Sequence, residues 1–444
     1  MGHIALAAER PAYKLIRYEE DWTALRDEAL RTDLFDGLKL VPLDEGARSF
    51  VSFGADVRER YEYVDDPLWG DAPQDPNGYL LSRVHVHADL HVGESLRFFG
   101  QLKSALLADR TGGARPTDED QLDVHQAFGE IAPVESLSLR FGRQEMAFGS
   151  SRLVSVREGP NVRLAFDGGR LTARFGDARL DAFVTRPVET DPGIFDDGSD
   201  DGVAFYGAYG TVPLGLLPDG HADLYWLALE REDAEFDTGT ADERRHSFGT
   251  RLFGRPRPVD YNFEFVYQLG SFGDGDIRAW TIASDTGYTF EEAPLAPRLG
   301  LKANVASGDR DRDDDDLETF NALFPRGSYF NEAALVGPAN FFDVHPSVEL
   351  HPSRDVTAWL DWDFLWRQSL DDGLYGNAIN PIVTGADSNE RYVGSEPNVQ
   401  VEWRVDPHVT LTACYVHFFA GPFLEESTSG KDIDFVGAWV SFRF

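Results

Sequence analysis

Arginine and lysine recur at alternate positions in stretches whose intervening residues are apolar. In SFVSFGADVRERYEYV, residues 49–64, Arg58 and Arg60 share a face with Ser52, Gly54, Asp56 and Glu62. Val51, Phe53, Ala55, Val57, Tyr61 and Tyr63 fall on the other face. The same pattern puts Arg83, Arg97, Lys103, Arg298, Lys302 and Arg367 on polar faces, and Arg140, Arg163, Arg170 and Arg174 complete the basic set. Fixed guanidinium groups along a narrow aqueous passage attract carboxylates and grip them with paired hydrogen bonds. The same charges can instead be spent inside the protein. Asp56, Glu62, Asp89, Asp123, Asp167, Asp181, Glu264, Asp361 and Asp363 are available partners for a ladder of ion pairs. Solute selection and interior filling can hold at different heights.

Three further clusters bear on chemistry. In RDRDDDDLE, residues 310–318, Asp311, Asp313, Asp314, Asp315 and Asp316 offer the hard oxygen ligands that suit Ca²⁺. The spacing is not that of an EF-hand, and Arg310 and Arg312 can neutralise the run in a solvated external loop. A structural calcium is the one cofactor this sequence suggests. The following TFNALFPRGSYF is aromatic for an exposed loop and is expected to fold inward and narrow a lumen. His85, His87 and His91 share one face of HVHADLH, but same-face neighbours on a strand stand about 6.6 Å apart, so a polar lining is preferred to a metal site. Ser150 and Ser151 lack a nucleophile-elbow frame, and neither GxSxG nor HExxH occurs. No enzymatic activity is expected.

The elements that must position these residues are strands. Alternation with period two places apolar and charged side chains on opposite faces. About 18 such segments run from residue 49 to the end, over 49–63, 79–92, 95–108, 120–130, 136–146, 162–175, 178–188, 202–212, 221–231, 244–254, 258–269, 276–286, 297–307, 340–351, 355–368, 391–404, 408–419 and 433–444. Short connections such as GES, GRPRP and HPSRD alternate with long acidic ones: DRTGGARPTDED, VETDPGIFDDGSDDG, EREDAEFDTGTADER, 308–339 and SLDDGLYGNAINPIVTGADSNE. Short turns on one rim and long loops on the other are the organisation of an outer-membrane barrel. The predicted fold is all-β: a closed antiparallel transmembrane barrel of about 18 strands, with short periplasmic turns and long extracellular loops. A soluble sandwich or propeller has the same alternation but lacks this alternation of loop lengths.

No run of eighteen apolar residues occurs, which excludes a spanning helix but not spanning strands. The net charge of −36 argues against nucleic acid as a partner. Cys414 is the single cysteine, so no disulfide forms within the chain. The final segment, IDFVGAWVSFRF, would leave an unpaired aromatic edge; closure onto residues 49–63 removes that edge and turns Phe442 and Phe444 toward lipid. Residues 1–45 are expected to be a periplasmic or lumenal lead-in and 46–444 the barrel. Within the lead-in, EDWTALRDEAL is compatible with a short helix. Met1–Ile4 read as non-native residues, following loss of a signal peptide.

Four stretches resemble the alginate-export family of outer-membrane proteins: LRFGRQEMAFGSSRL at 139–153, REGPNVRLAFDGGRL at 157–171, GDRDRDDDDLETFNALFPRGSYFNEA at 308–333 and YEEDWTALRD at 18–27. The resemblance implies an 18-stranded barrel in the bacterial outer membrane, held by lipid and lipopolysaccharide and acting as a monomer. It also implies that RFGRQ places Arg140 in the lumen, whereas Arg143 turns outward unless a bulge intervenes. The founding exporter passes a polyanionic polysaccharide, which the acidic loops of this chain would repel at the outer mouth. The expected function is a porin for passive diffusion of anionic or saccharide solutes. The alternatives are export of an acidic exopolysaccharide such as alginate, or a receptor or hydrolase.

Overall fold

The alternating stretches are strands in the computed structural model, which describes residues 10–444; Met1–Ile4, expected to be non-native, lie outside the described residues. In chain order the first six are β1 (Phe50–Asp65), β2 (Tyr79–Val92), β3 (Leu96–Ala108), β4 (Asp120–Val134), β5 (Leu137–Gln144) and β6 (Phe166–Phe175). The next six are β7 (Ala178–Glu189), β8 (Val203–Leu214), β9 (Gly220–Phe236), β10 (Gly239–Gly254), β11 (Val259–Phe272) and β12 (Gly275–Thr289). The last six are β13 (Arg298–Ala306), β14 (Phe341–Leu350), β15 (Val356–Arg367), β16 (Tyr392–Arg404), β17 (Val409–Ala420) and β18 (Ile433–Arg443). Each strand pairs antiparallel with the next. The sheet closes where β18 meets β1, in a register from Asp56 opposite Arg443 to Asp65 opposite Asp434. Closure satisfies edge groups that would each cost several kcal/mol in lipid.

The outward face is apolar and exposed at Val84, Val86, Phe98, Phe263, Phe265 and Trp362, while Asp56, Arg58, Arg60, Arg83, His85 and Asp363 are buried inside. In an aqueous protein that outer surface would be an aggregation liability; against acyl chains it is the solvent-facing surface.

Three local expectations are corrected. EREDAEFDTGTADER is not a loop: β9 and β10 run through it to a two-residue turn at Asp237 and Thr238. Ala234 and Phe236 continue the inward alternation and are buried, which extends the hairpin. The sixth strand starts at Phe166 rather than 162, because residues 145–165 leave the wall and enter the lumen. Within the lead-in, EDWTALRDEAL forms two 3₁₀ turns, Thr23–Arg26 and Glu28–Leu30, instead of one helix. Asp27 between them is extended and caps the second turn by accepting the Ala29 N–H at 3.0 Å.

The lead-in is held inside the near rim. Arg17 donates to the Ala55 carbonyl at 2.8 Å and to the Phe444 carbonyl at 2.7 Å. Tyr18 packs against Phe99 and Phe128, and its hydroxyl donates to the Glu145 carbonyl at 2.8 Å. Phe444 is therefore covered: Phe35 stacks on it with ring centroids 4.4 Å apart and also contacts Phe442.

Candidate functional site

Two inward segments, 145–165 and 307–340, divide the lumen. They run side by side: the Phe324 N–H donates to the Leu153 carbonyl at 2.9 Å, and the Arg326 N–H to the Ser151 carbonyl at 3.1 Å. Their aromatic and aliphatic residues, among them Met146, Phe148, Val154, Phe320, Phe324 and Phe330, share one buried cluster with Phe166 and Phe205 of the wall. Polar wall residues anchor the second segment. Arg245 donates to the Thr319 carbonyl at 3.1 Å and Gln268 to the Asn321 carbonyl at 2.7 Å. Gly327 packs against Pro160 of the other segment: a Cβ added to Gly327 would fall 2.5 Å from the Pro160 ring, so only glycine fits there.

Glu158 is the electrostatic centre of the first segment. Its carboxylate meets Arg83, lies 3.4 Å from Arg163 and 3.9 Å from both Arg58 and Arg443. Its carbonyl accepts from Arg58 at 2.6 Å, and the Pro160 carbonyl accepts from the same guanidinium at 2.9 Å. Burial alone would raise the carboxyl's pKa, but the surrounding Arg83, Arg163, Arg58 and Arg443 hold it well below the usual carboxylate range.

Cavities lie on both sides of this junction. Toward the long loops, one of about 260 Å³ is lined by Arg60, Glu62, Arg115, Arg157, Gly327 and Glu332. Toward the short turns, one of about 70 Å³ is lined by Ser150, Arg152, Lys302, Asn304, Arg326 and His345. A vestibule of about 520 Å³ opens between the lead-in and the wall, with Lys14, Arg97, Arg140, Arg170, Arg174 and Arg179 among its lining.

The twelve basic residues singled out from sequence divide by what they touch. Nine have a carboxylate within 4.0 Å. Arg58 and Arg83 meet Glu158, Arg60 meets Glu62 and Glu332, Arg97 meets Asp89, and Lys103 meets Asp120 and Asp197. Arg140 meets Glu130, Arg163 meets Glu145, Arg170 meets Asp181, and Arg298 meets Asp260 and Asp285. Arg163 does so from the inward segment, not from a strand. Lys302 and Arg174 have no such partner among the described residues and face cavities. Arg367 is the exception in place as well as partner. It is fully buried and donates to the carbonyls of Leu370, Asp372, Gly385, Ser388 and Glu390, so it organises loop 368–391 and presents nothing to a solute.

Arg157 and Arg326 were not singled out, although both lie in stretches that carry the family resemblance. Neither has a carboxylate within 4.0 Å among the described residues; the Arg326 guanidinium donates to the Tyr329 carbonyl at 3.0 Å. No period-two pattern reaches them. The available signal was a neighbouring glycine in each case, in Arg157-Glu158-Gly159-Pro160 and Arg326-Gly327. Arg143 does pair, with Asp167 at 2.9 Å; beside it Gly142 adopts φ +127°.

The metal expectation does not acquire geometry. The Asp311–Asp316 run is turned back on itself, with the Asp316 N–H donating to the Asp314 carboxylate at 3.0 Å and Arg310 held by Glu318. Its carboxylates are not among the described groups whose ligand atoms converge within 4.8 Å. His85 stacks on His125 with centroids 4.8 Å apart, while His91 stacks on Phe50, so the three same-face histidines part company.

Comparison with known proteins agrees with this architecture. The family model described as alginate export matches residues 49–437. Among solved structures, Pseudomonas aeruginosa OpdK with vanillate aligns at TM-score 0.60 and 11% identity, covering 89% of this chain and 98% of that one. Pseudomonas aeruginosa OccK2 (OpdF) in complex with glucuronate aligns at TM-score 0.58 and 13% identity, with coverage of 89% and 98%. OccK11 (OpdR) from the same organism aligns at 0.57 and 13%, with coverage of 92% and 99%. At these identities the likeness is one of fold. No curated protein sequence matches. With its closed 18-strand barrel and a family match over most of its length, the chain belongs to the alginate export family and is an outer-membrane β-barrel channel.

Proposed function

We propose that this barrel conducts small carboxylate-bearing solutes, sugar acids included, by passive diffusion, and that selection rests on lumenal cations left without an internal partner. Arg157 on one side of the junction, and Arg326 and Lys302 on the other, form a stepwise path of positive charge past Gly159, Pro160 and Gly327. The observation that carries this reading is the unpaired Arg157 guanidinium in a cavity of about 260 Å³. Paired arginines shape the lumen but contribute little net field, since each is matched nearby by a carboxylate. The glucuronate and vanillate bound by structural neighbours are both carboxylates, which supports the solute class. The channel acts as a monomer in lipid and lipopolysaccharide, and carries out no chemical step.

Export of an acidic polysaccharide is the second reading, favoured by the family's description. The filled lumen speaks for small solutes, because segments 145–165 and 307–340 would both have to leave for a polymer to pass. The test is the reversal potential of single barrels in a planar bilayer under a KCl gradient, followed by block with glucuronate and with alginate oligomers. Chloride preference relieved by millimolar glucuronate is expected. Potassium preference overturns the proposal, and block by oligomers alone moves the assignment to export.

A further inference from the structure

We propose that Asp343, His345 and Asp363 form a binding site for a first-row divalent metal ion in the barrel wall, beside the lumen. Asp343 and His345 stand two residues apart on β14, and Asp363 faces them from β15. Each offers a ligand atom, all within 4.8 Å of one another, and all three side chains are buried. His345 Nδ1 lies 3.8 Å from Asp363 Oδ2. Two ligands bound at about 2.1 Å to one ion sit roughly 3–4 Å apart, so little movement is needed.

The surroundings prepare these atoms. His345 Nε2 lies 2.7 Å from Asp361 Oδ1. If Nε2 carries the proton, it donates there and leaves the Nδ1 lone pair directed at Asp363, the outer arrangement by which carboxylates orient metal-binding histidines. Asp361 is itself held by Asn398 at 2.9 Å. Asn304 donates to both Asp343 oxygens, from its backbone at 3.0 Å and its side chain at 3.1 Å.

The independent observation is Asp363. It is completely buried, yet neither carboxylate oxygen has a hydrogen-bond partner. Glu396, directly opposite it on β16, is also buried with one oxygen unpartnered. Unpaired buried carboxylates are costly, and the lysine on the adjoining strand does not relieve them: Lys302, opposite His345 in register, makes no ion pair within 4.0 Å among the described residues. A bound cation would. The other convergent group, Asp120, Asp123 and Asp197, differs because Lys103 already sits 2.6 Å from two of its members. One imidazole with two or three carboxylates suits Mn²⁺ or Zn²⁺ better than the all-oxygen sites of calcium. His345 and Asn304 line the lumenal cavity of about 70 Å³, which supplies an entry route.

The test uses the full barrel in detergent, stripped with chelator and titrated with MnCl₂ while the free-ion EPR signal is followed, then challenged with ZnCl₂. One ion per chain, displaced by Zn²⁺, is expected. Asp363→Asn should abolish that binding, and Asp361→Asn, which keeps every ligand, should weaken it by about 10- to 100-fold. Heat-modifiable gel mobility reports folding of each variant independently of metal. Wild-type protein that binds neither ion, or binds both no more tightly than Asp363→Asn, overturns the site. So does binding of Mn²⁺ that survives Asp361→Asn unchanged when Asp363→Asn fails to fold.

Discussion

Replacing Arg157 with Gln removes one positive charge from the wall of the cavity of about 260 Å³ while keeping a polar side chain of similar reach. Because Arg157 has no ion-pair partner among the described residues, the substitution leaves no carboxylate orphaned, and its effect on the field is not masked by a second change. An anion near the cavity centre lies roughly 5 Å from the guanidinium. Coulomb's law then gives about 0.8 kcal/mol at an effective dielectric of about 80 and about 3 kcal/mol at about 20. The smaller figure already corresponds to a fourfold change in relative anion occupancy, since about 1.4 kcal/mol is tenfold. The chloride-to-potassium permeability ratio, from reversal potentials in a KCl gradient, should therefore fall at least about fourfold. The effect should shrink as salt is raised from about 0.1 to 1 M, because the screening length drops from about 10 to 3 Å. Arg257→Gln is the control: Arg257 sits exposed on a turn between strands, 3.0 Å from Glu291 and far in sequence from the lumenal segments. A permeability ratio identical in wild type and Arg157→Gln at low salt would refute selection at this residue.

Three other outcomes follow from the same geometry. Glu158→Gln leaves Arg83 and Arg163 without their shared carboxylate; allowing for its partial exposure, the loss should be about 2–3 kcal/mol, seen as a lower temperature for the heat-modifiable gel shift, with anion preference increased. Burial pushes the Asp309 carboxyl up to about 7 and that of Asp372 up to about 6, where the Asp309 N–H, Thr319 and Tyr375 donate to Asp372. Carboxyls raised above their unfolded values stabilise the docked loops fully at acidic pH and lose that contribution as pH rises through about 6 to 7, so hydrogen exchange over 309–319, corrected for intrinsic rate, should be faster at pH 8 than at pH 5; the opposite order would refute the assignment. Gly327→Ala sets a methyl 2.5 Å from the rigid Pro160 ring and should part the two inward segments, raising single-channel conductance, whereas Gly159→Ala meets its nearest neighbour at an ordinary 3.6 Å and should leave conductance unchanged.

Much of the fold was legible because a strand's face alternation is a local property. Fourteen residues such as Tyr79–Val92 carry their own inside and outside, whatever lies elsewhere in the chain. Strand number, closure of β18 on β1 and the inward placement of Arg58, Arg83 and Arg97 could be read in that way. The reading weakens where charge masks the period, or where a side chain's partners lie outside its own strand. Asp237 and Thr238 read as the middle of a long acidic loop, because charge on a hairpin tip resembles charge on a coil. Arg367 alternates correctly with Trp366, yet five carbonyls of the loop that follows it, 368–391, consume its guanidinium.

From the sequence alone came the barrel, its membrane and the strand face on which each arginine falls, since each follows from residue type and spacing along one strand. Only the folded chain decided which of those charges remain free. Glu158 gathers Arg58, Arg83, Arg163 and Arg443 from as far away as the other end of the barrel sequence, while Arg157 beside it finds no carboxylate among the described residues. The Asp343, His345 and Asp363 cluster is likewise spread over two strands and supported from two more. Ion pairing and metal geometry depend on distances of a few ångströms between residues far apart in the chain, and no local periodicity encodes those distances.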